Sequence, residues 1–255
     1  MKIASWNVNS LKVRLDQVVA WLEHQQPAVL GLQETKLVDE KFPAEAFNEV
    51  GYQVIFSGQP TYNGVALIAR SELADPVMGI PGFEDDQKRV IAATVDGVRV
   101  INLYVVNGQE VGSEKFDYKL RWLDAVTAWV EDELSRHQRL VVMGDFNIAP
   151  DDRDVYDPEA WHEKILCSTP EREALGRMLD LGLHDSFRLF DQPEKTWSWW
   201  DYRAAMFRRG LGLRIDLVLC SEALKGRCST SYIDKEPRRN ERPSDHAPAV
   251  AEFTL

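Results

Sequence analysis

A chain of 255 residues that is 44% hydrophobic and 28% charged has the composition of an ordinary globular protein, enough for one large domain. That excludes a disordered or fibrous chain; no apolar run approaches a membrane span and the first residues lack a leader-like apolar core, so no membrane association is expected. A formal net charge of −11 argues against a uniformly basic, nucleic-acid-binding surface.

The chain opens with Lys2 to Asn7, which reads as a strand ending in Asn-Val-Asn. Ser10 is a candidate N-cap, and Leu11, Leu15, Val18, Val19 and Leu22 fall on one face of the helix it would start. Pro27 closes that connection. Ala28 to Leu32 is a second apolar strand ending at Gln33-Glu34, which makes a βαβ-like opening. Pro43 to Val50 reads as a short helix stopped by Gly51. Tyr52–Ser57, Gly64–Arg70, Arg89–Val95 and Arg99–Val105 follow as strands, with Asp96-Gly97 as a hairpin signal between the last two. Ser113 to Arg136 is the longest helical pattern, carried by Phe116, Leu120, Leu123, Trp129, Val130 and Leu134.

Leu140 to Met143 reads as a strand buried on both faces. Gly144 then lets the backbone turn tightly, and Pro150 forbids further ladder pairing. The acidic stretch Asp151–Glu159 lacks calcium-loop spacing and its required Gly, so it reads as a solvated loop. Thr169-Pro170 opens another helix, with Pro at the first helical position, running to about Asp180. Lys195–Trp200, Leu213–Cys220 and Ala247–Phe253 complete the strands. Strands outnumber helices, so the expected fold is a four-layered α/β sandwich: two mixed β-sheets packed face to face with helices outside, in a single domain over 1–255. Cys167, Cys220 and Cys228 form no metal-like spacing, and an odd count argues against a disulfide framework; a reducing cytoplasm is the natural setting.

The chemistry-bearing residues recur at strand ends. Asn7 and Asn9 follow the first strand, Glu34 the second, and Tyr104 and Asn107 follow Val100–Leu103. Asp145 and Asn147 follow Leu140–Met143, and Asp245-His246 begins the last strand, while Asp216 lies within Leu213–Leu219. Residues two apart on an extended backbone share a face, so Asp145 and Asn147 can aim a carboxylate and an amide at one target. Singly, each has an ordinary explanation: Asp145 as a turn cap, Asp216 as a buried acid held by Arg214, His246 as an interior histidine. Their repetition over six strands exceeds what loop composition provides. Glu34, Asp145 and Asp245 are hard oxygen ligands and there is no zinc spacing, which suits Mg²⁺ or Mn²⁺. A polarising ion, neutral donors and one further carboxylate are the equipment for phosphoryl transfer to water.

Trp6-Asn7-Val8-Asn9, Leu32-Gln33-Glu34-Thr35-Lys36, Asn63-Gly64-Val65-Ala66, Gly144-Asp145-Phe146-Asn147, Arg214-Ile215-Asp216 and Ser244-Asp245-His246-Ala247-Pro248 resemble, in the same order, the motifs of the exonuclease III family. This is the Mg²⁺-dependent apurinic/apyrimidinic endonuclease branch of the endonuclease/exonuclease/phosphatase superfamily. Arg89-Val-Ile, Trp199-Trp-Asp-Tyr-Arg203 and Gly212–Asp216 point to that branch. The resemblance implies a DNA-repair phosphodiesterase acting as a monomer on double-stranded DNA with abasic sites or 3′ ends. By the same resemblance, Asp145 would activate the attacking water and Asn147 orient it. His246, oriented by Asp216, and Tyr104 would stabilise charge on the phosphate. Glu34, Asp245 and Asn7 would hold Mg²⁺, with Mn²⁺ able to substitute. Asn107 and Arg89 would hold the phosphate and backbone, and Trp199, Trp200 and Arg203 would press on the lesion and duplex. Trp161 to Cys167 occupies a stretch that varies within the family and would lie near the lesion. A lipid or inositol phosphodiesterase, and a catalytically silent nucleic-acid-binding regulator, are the competing readings; the intact site residues and the Trp-Trp-Asp-Tyr-Arg stretch disfavour them.

The positive charge is concentrated late in the chain, with four Arg and no acid from Tyr202 to Ile215, and four cations against two Glu from Lys235 to Arg242. Each phosphate contact releases counterions and steepens the dependence of affinity on salt. Reversing Arg203 and Arg208 together to Glu is expected to flatten that slope, read by fluorescence anisotropy across a KCl series; an unchanged slope would put the DNA face elsewhere.

Overall fold

Alternating side-chain direction along each strand gives two usable faces, and the computed structural model, which describes residues 1–255, uses both. One six-stranded sheet runs in the order β11 (Cys228–Ile233), β12 (Ala249–Phe253), β1 (Lys2–Asn7), β2 (Val29–Gln33), β4 (Val65–Ala69) and β3 (Gln53–Ser57). The other runs β5 (Ala74–Met78), β6 (Val90–Val95), β7 (Val98–Tyr104), β8 (Leu140–Asp145), β10 (Asp216–Ser221) and β9 (Leu183–Asp185). Each sheet has one parallel pair, β1 with β2 and β7 with β8. Parallel neighbours need a crossover, and helices α1 (Leu11–Gln25) and α3 (Glu114–Arg136) supply them.

The four layers follow from where the apolar residues point. Ile3, Val29, Val65, Leu67, Val100, Val141, Met143 and Val218 fill the space between the sheets. On the outer side of the first sheet, Leu11, Val18, Trp21 and Leu22 of α1 cover Ala4, Trp6, Leu30 and Leu32, and Phe47 of the short α2 (Ala44–Asn48) joins them. On the outer side of the second, Trp122, Leu123, Val126 and Val130 of α3 cover Ile101, Leu103, Leu140 and Val142. After the one-turn α4 (Pro158–Trp161), α5 (Thr169–Leu179) adds Ala174, Leu175 and Met178. Its start is set by a capping box between Ser168 and Glu171. No helix is long and apolar enough to cross a membrane.

The sandwich of two mixed sheets is the expected one, and most elements lie within a residue or two of their expected bounds. Three strands escape the apolar pattern: β5, β9 and β11. All three are sheet edges, where one side needs no partner and polar residues are tolerated; β5 even contains Pro76, at an irregularity in its pairing. The expected strand Lys195–Trp200 does not form, and Trp199 makes only isolated bridges to Leu213 and His246. The ladder of Leu213–Cys220 starts only at Asp216. The acidic stretch Asp151–Glu159 is not wholly solvated either. Asp154 is fully buried, with Arg214 Nε 2.7 Å away and Arg188 on the same carboxylate. Arg214 therefore holds Asp154 and Asp185, not Asp216.

One polar side chain ties the sheets together through the core. Asn102 of β7 donates to the Leu32 and Ala66 carbonyls of the opposite sheet at 2.9 and 3.0 Å, and accepts from Gln33 Nε2 at 2.6 Å. A buried amide so paired specifies how the sheets align, and removing it strands its partners without water. Asn102→Ala is expected to cost about 2–4 kcal/mol in urea unfolding; a loss within a few tenths would show that the sheets dock on apolar packing alone.

Candidate active site

The site is a consequence of strand register. β1, β2, β7 and β8 end at one edge of the sandwich, and residues two apart place Asn7, Gln33, Tyr104 and Asp145 on the inter-sheet face there. Asn7 pairs in register with Gln33, and Tyr104 with Asp145. β10 runs the other way and begins at this edge, so Asp216 stands opposite Asp145 at the mouth, not inside the strand. Gly144 makes the approach possible: a Cβ there would lie 1.9 Å from the Leu103 carbonyl oxygen. Its φ of 153° also suits glycine.

Asp145, Asp216 and His246 bring their ligand atoms within 4.8 Å of one another, all buried. His246 Nδ1 meets both oxygens of Asp216, at 3.1 and 2.9 Å, and Nε2 lies 3.7 Å from Asp145 Oδ2. Burial works to lower the His246 pKa, but the Asp216 and Asp145 carboxylates outweigh it and raise it to about 10. The imidazole is therefore a cation at neutral pH. Burial, helped by the charge of Asp216, pushes the Asp145 carboxyl up to about 7 against the opposing pull of His246. Asp145 Oδ1 accepts from Asn147 N at 2.9 Å and Oδ2 from Asn7 Nδ2 at 2.9 Å. One oxygen thus does cap the turn, as in the plain reading, while the other faces the site.

A second pair of carboxylates lies beside this group. Glu34 Oε1 accepts from Asn7 Nδ2 at 3.0 Å, and Asp245 accepts from Asn9 Nδ2 and Trp199 Nε1, both at 3.0 Å. These are hard oxygen donors, open enough to take an ion and without thiol competition, so their chemistry fits Mg²⁺ or Mn²⁺. Asn7 faces the site's carboxylates. Its amide nitrogen bridges Glu34 and Asp145, and its oxygen accepts from Asn9 N at 2.9 Å. Asn9, Glu34, Lys36 and Asn147 all have positive φ, between 42° and 55°, a strain that concentrates at sites held by their surroundings.

The remaining candidates divide. Tyr104 stands close to Glu34 and Asp145, and burial together with those carboxylates raises its pKa well above the usual phenol range. Arg89 stacks 4.6 Å from the Tyr104 ring and donates to the Tyr104 carbonyl at 3.1 Å. With Asn107 it lines a groove of about 650 Å³ that also holds Tyr62, Asn63 and Lys115. Asn107 Nδ2 reaches Asn147 Oδ1 at 3.3 Å. Trp199 lines the site, but Trp200 is 2% exposed and packs edge-on against Phe207 at 5.0 Å, so it supports the loop and offers no face to a substrate. Arg203 is an exposed side chain paired with Asp201. A separate cavity of about 570 Å³ between Tyr156, Phe187 and Trp197 contains none of these residues.

Sequence reasoning missed the residues that hold this geometry. Ser198 Oγ accepts from the Ile215 and Asp216 amides at 2.9 and 3.0 Å. Ser244 Oγ donates to the Asn7 carbonyl at 2.6 Å and accepts from His246 N at 3.2 Å. Ser198 carries no signal in an isolated segment, whereas Ser244 adjoins Asp245-His246 and could have been suspected.

The chain matches the Endonuclease/Exonuclease/phosphatase family over residues 4–246. It belongs to that family. Exodeoxyribonuclease III of Haemophilus influenzae is 39% identical over 266 residues, covering 99% of this chain and 100% of the relative. Among solved structures, the 3′ phosphatase NExo from Neisseria bound to a product DNA hairpin matches with 53% identity and a TM-score of 0.98 over 100% of both chains. An AP endonuclease from Archaeoglobus fulgidus matches with 38% identity and a TM-score of 0.96, again over 100% of both.

Within this family member, the elevated His246 pKa rests on Asp216. Asp216→Asn is expected to bring the imidazole titration, followed by NMR, down from about 10 toward neutrality. A titration that stays put would assign the stabilisation to Asp145 instead.

Proposed function

We propose that this chain is a metal-dependent DNA-repair hydrolase of the exodeoxyribonuclease III kind, its 1–255 span working as one catalytic domain in a cytoplasmic monomer. The observation that carries the reading is a buried carboxylate raised toward neutrality, Asp145, set beside an imidazolium, His246, at a mouth ringed by neutral donors. A base poised near the working pH can take a proton from water, and a fixed cation beside it can offset charge gathering on a phosphate. Asn147 and Tyr104 are the donors that would direct the water and the phosphate oxygens. Asn7 keeps Asp145 and Glu34 apart yet aligned. Glu34 and Asp245 are the residues that would hold Mg²⁺, for which Mn²⁺ can substitute. When bound, such an ion supplies Lewis-acid charge to a phosphate oxygen. Arg89 and Asn107, facing the groove, would contact the phosphate backbone, and Trp199 and the Arg203 loop would rest against the duplex.

The substrate reading is double-stranded DNA entered at a 3′ end, since the relative at 53% identity is a 3′ phosphatase captured with a DNA hairpin product. Incision at abasic sites is kept as a second activity because the similar Archaeoglobus fulgidus protein is an AP endonuclease. A duplex with a recessed 3′ end, one with a 3′ phosphate and one with an abasic-site analogue, each with Mg²⁺ or EDTA, separate these activities. Hydrolysis that persists in EDTA would remove the metal from the mechanism.

Asp145→Asn retains shape but cannot accept the proton. It is expected to lower turnover about 10²–10⁴-fold while DNA affinity is kept. Near-normal turnover by the variant would refute the assignment of Asp145 as base.

A further inference from the structure

One cation in the site has no part in the scheme above. Lys36 Nζ lies 3.1 Å from Glu34 Oε2 and donates to Asn9 Oδ1 at 2.6 Å. Asn9 in turn donates to Asp245 Oδ1 at 3.0 Å, so the ammonium is linked to both carboxylates of the candidate metal pair. This placement is built into the backbone. Glu34 and Lys36 have φ of 52° and 55°, strained for side-chain-bearing residues, so the turn folds back on the site. Four bonds secure the turn: Thr35 N to the Gly64 carbonyl at 3.2 Å, Lys36 N to the Asn63 carbonyl at 2.9 Å, Ser10 N to the Glu34 carbonyl at 2.8 Å and Leu11 N to the Thr35 carbonyl at 3.1 Å. A lysine needed only for solubility would point outward at no such cost. Glu34 does not depend on Lys36 for its orientation, because Asn7 Nδ2 holds the other carboxylate oxygen at 3.0 Å.

We propose that Lys36 is a resident counter-cation of Glu34 that competes with the divalent ion for the same carboxylate. The inference rests on Glu34 and Asp245 being the metal pair. In the free protein the ammonium neutralises Glu34 and lowers its affinity for metal. A substrate phosphate brings the negative charge that lets ammonium and metal share the site. Metal loading is thereby coupled to DNA binding, and the free enzyme is kept largely unloaded.

The test is the affinity of the free protein for Mn²⁺ without DNA, measured by electron paramagnetic resonance. Site-specific binding is taken as the part lost in Glu34→Gln. Lys36→Gln and Lys36→Met are expected to bind Mn²⁺ about five- to tenfold tighter than wild type, the scale of repulsion between a monovalent and a divalent charge a few ångströms apart in a partly hydrated site. Lys36→Arg, which keeps the charge, stays near wild type. The gap closes as KCl screens the repulsion, a response that loss of a merely structural contact would not give. Circular dichroism checks that each variant is folded. Unchanged or weaker binding by folded Lys36→Gln and Lys36→Met, with wild type binding normally, overturns the inference alone. A wild type whose Mn²⁺ binding is unaffected by Glu34→Gln overturns the metal-pair reading and the inference with it.

Discussion

Two carboxylates and an imidazole buried within 4.8 Å of one another are the constraint on which the structure turns. Buried charges are tolerated only when paired and hydrogen-bonded, and removing one partner of such a group costs several kcal/mol. Here the two acids come from β8 and β10 of one sheet, while the histidine precedes β12 of the other. The charges can be balanced only when the sheets close on each other. Folding and the assembly of the site are thus one event, and the inter-sheet contacts that bring the strand ends together serve both.

Around that group, neutral hydrogen-bonding groups do most of the positioning. Ser198, Ser244 and the Asn7 amide fix Asp216, His246 and Asp145 without adding charge. Neutral partners leave the electrostatic balance to the acids and the imidazolium, so the elevated pKa values follow from burial and from a few near neighbours. The positive-φ residues are kept in place by hydrogen bonds to their surroundings: the Glu34 carbonyl accepts from Ser10 N, while Asn9 N and Asn147 N donate to the Asn7 and Asp145 side chains, which is how strain persists at a working site.

Buried cations organise the irregular segments in a different way. Lys119 on α3 is fully buried, paired with Glu171 and donating to the Asn147 carbonyl at 2.7 Å and the Asn107 carbonyl at 3.1 Å. Glu171 also accepts from the Leu166 and Ser168 amides at 3.0 and 3.1 Å, so one ion pair ties the stretch around Trp161–Cys167 to the two asparagines at the site. Arg238, with its guanidinium carbon 4.6 Å from the Phe207 ring centroid and 5.6 Å from that of Trp200, donates to the Ser244 carbonyl and supports the opposite rim. Helices and loops far apart in sequence are joined to the active residues through carbonyls, which tolerate a cation where a side chain would not fit.

The sequence by itself determined the two layers of strands, their central members and the residues at their mouths. Predominantly apolar runs of strand length and strand-end polarity are local properties, legible in Leu140–Asp145 or Val98–Tyr104 alone. What it could not determine were the edge strands β5, β9 and β11, whose pairing is decided by a neighbour and not by their own pattern. Nor could it reveal that Trp200 turns inward, that Arg214 serves Asp154 and Asp185, or that Asn7 presents its nitrogen to the acids. Each of these depends on which group from another segment arrives at hydrogen-bonding distance. Only the closed sandwich decides that, because a buried polar group takes its role from its partners.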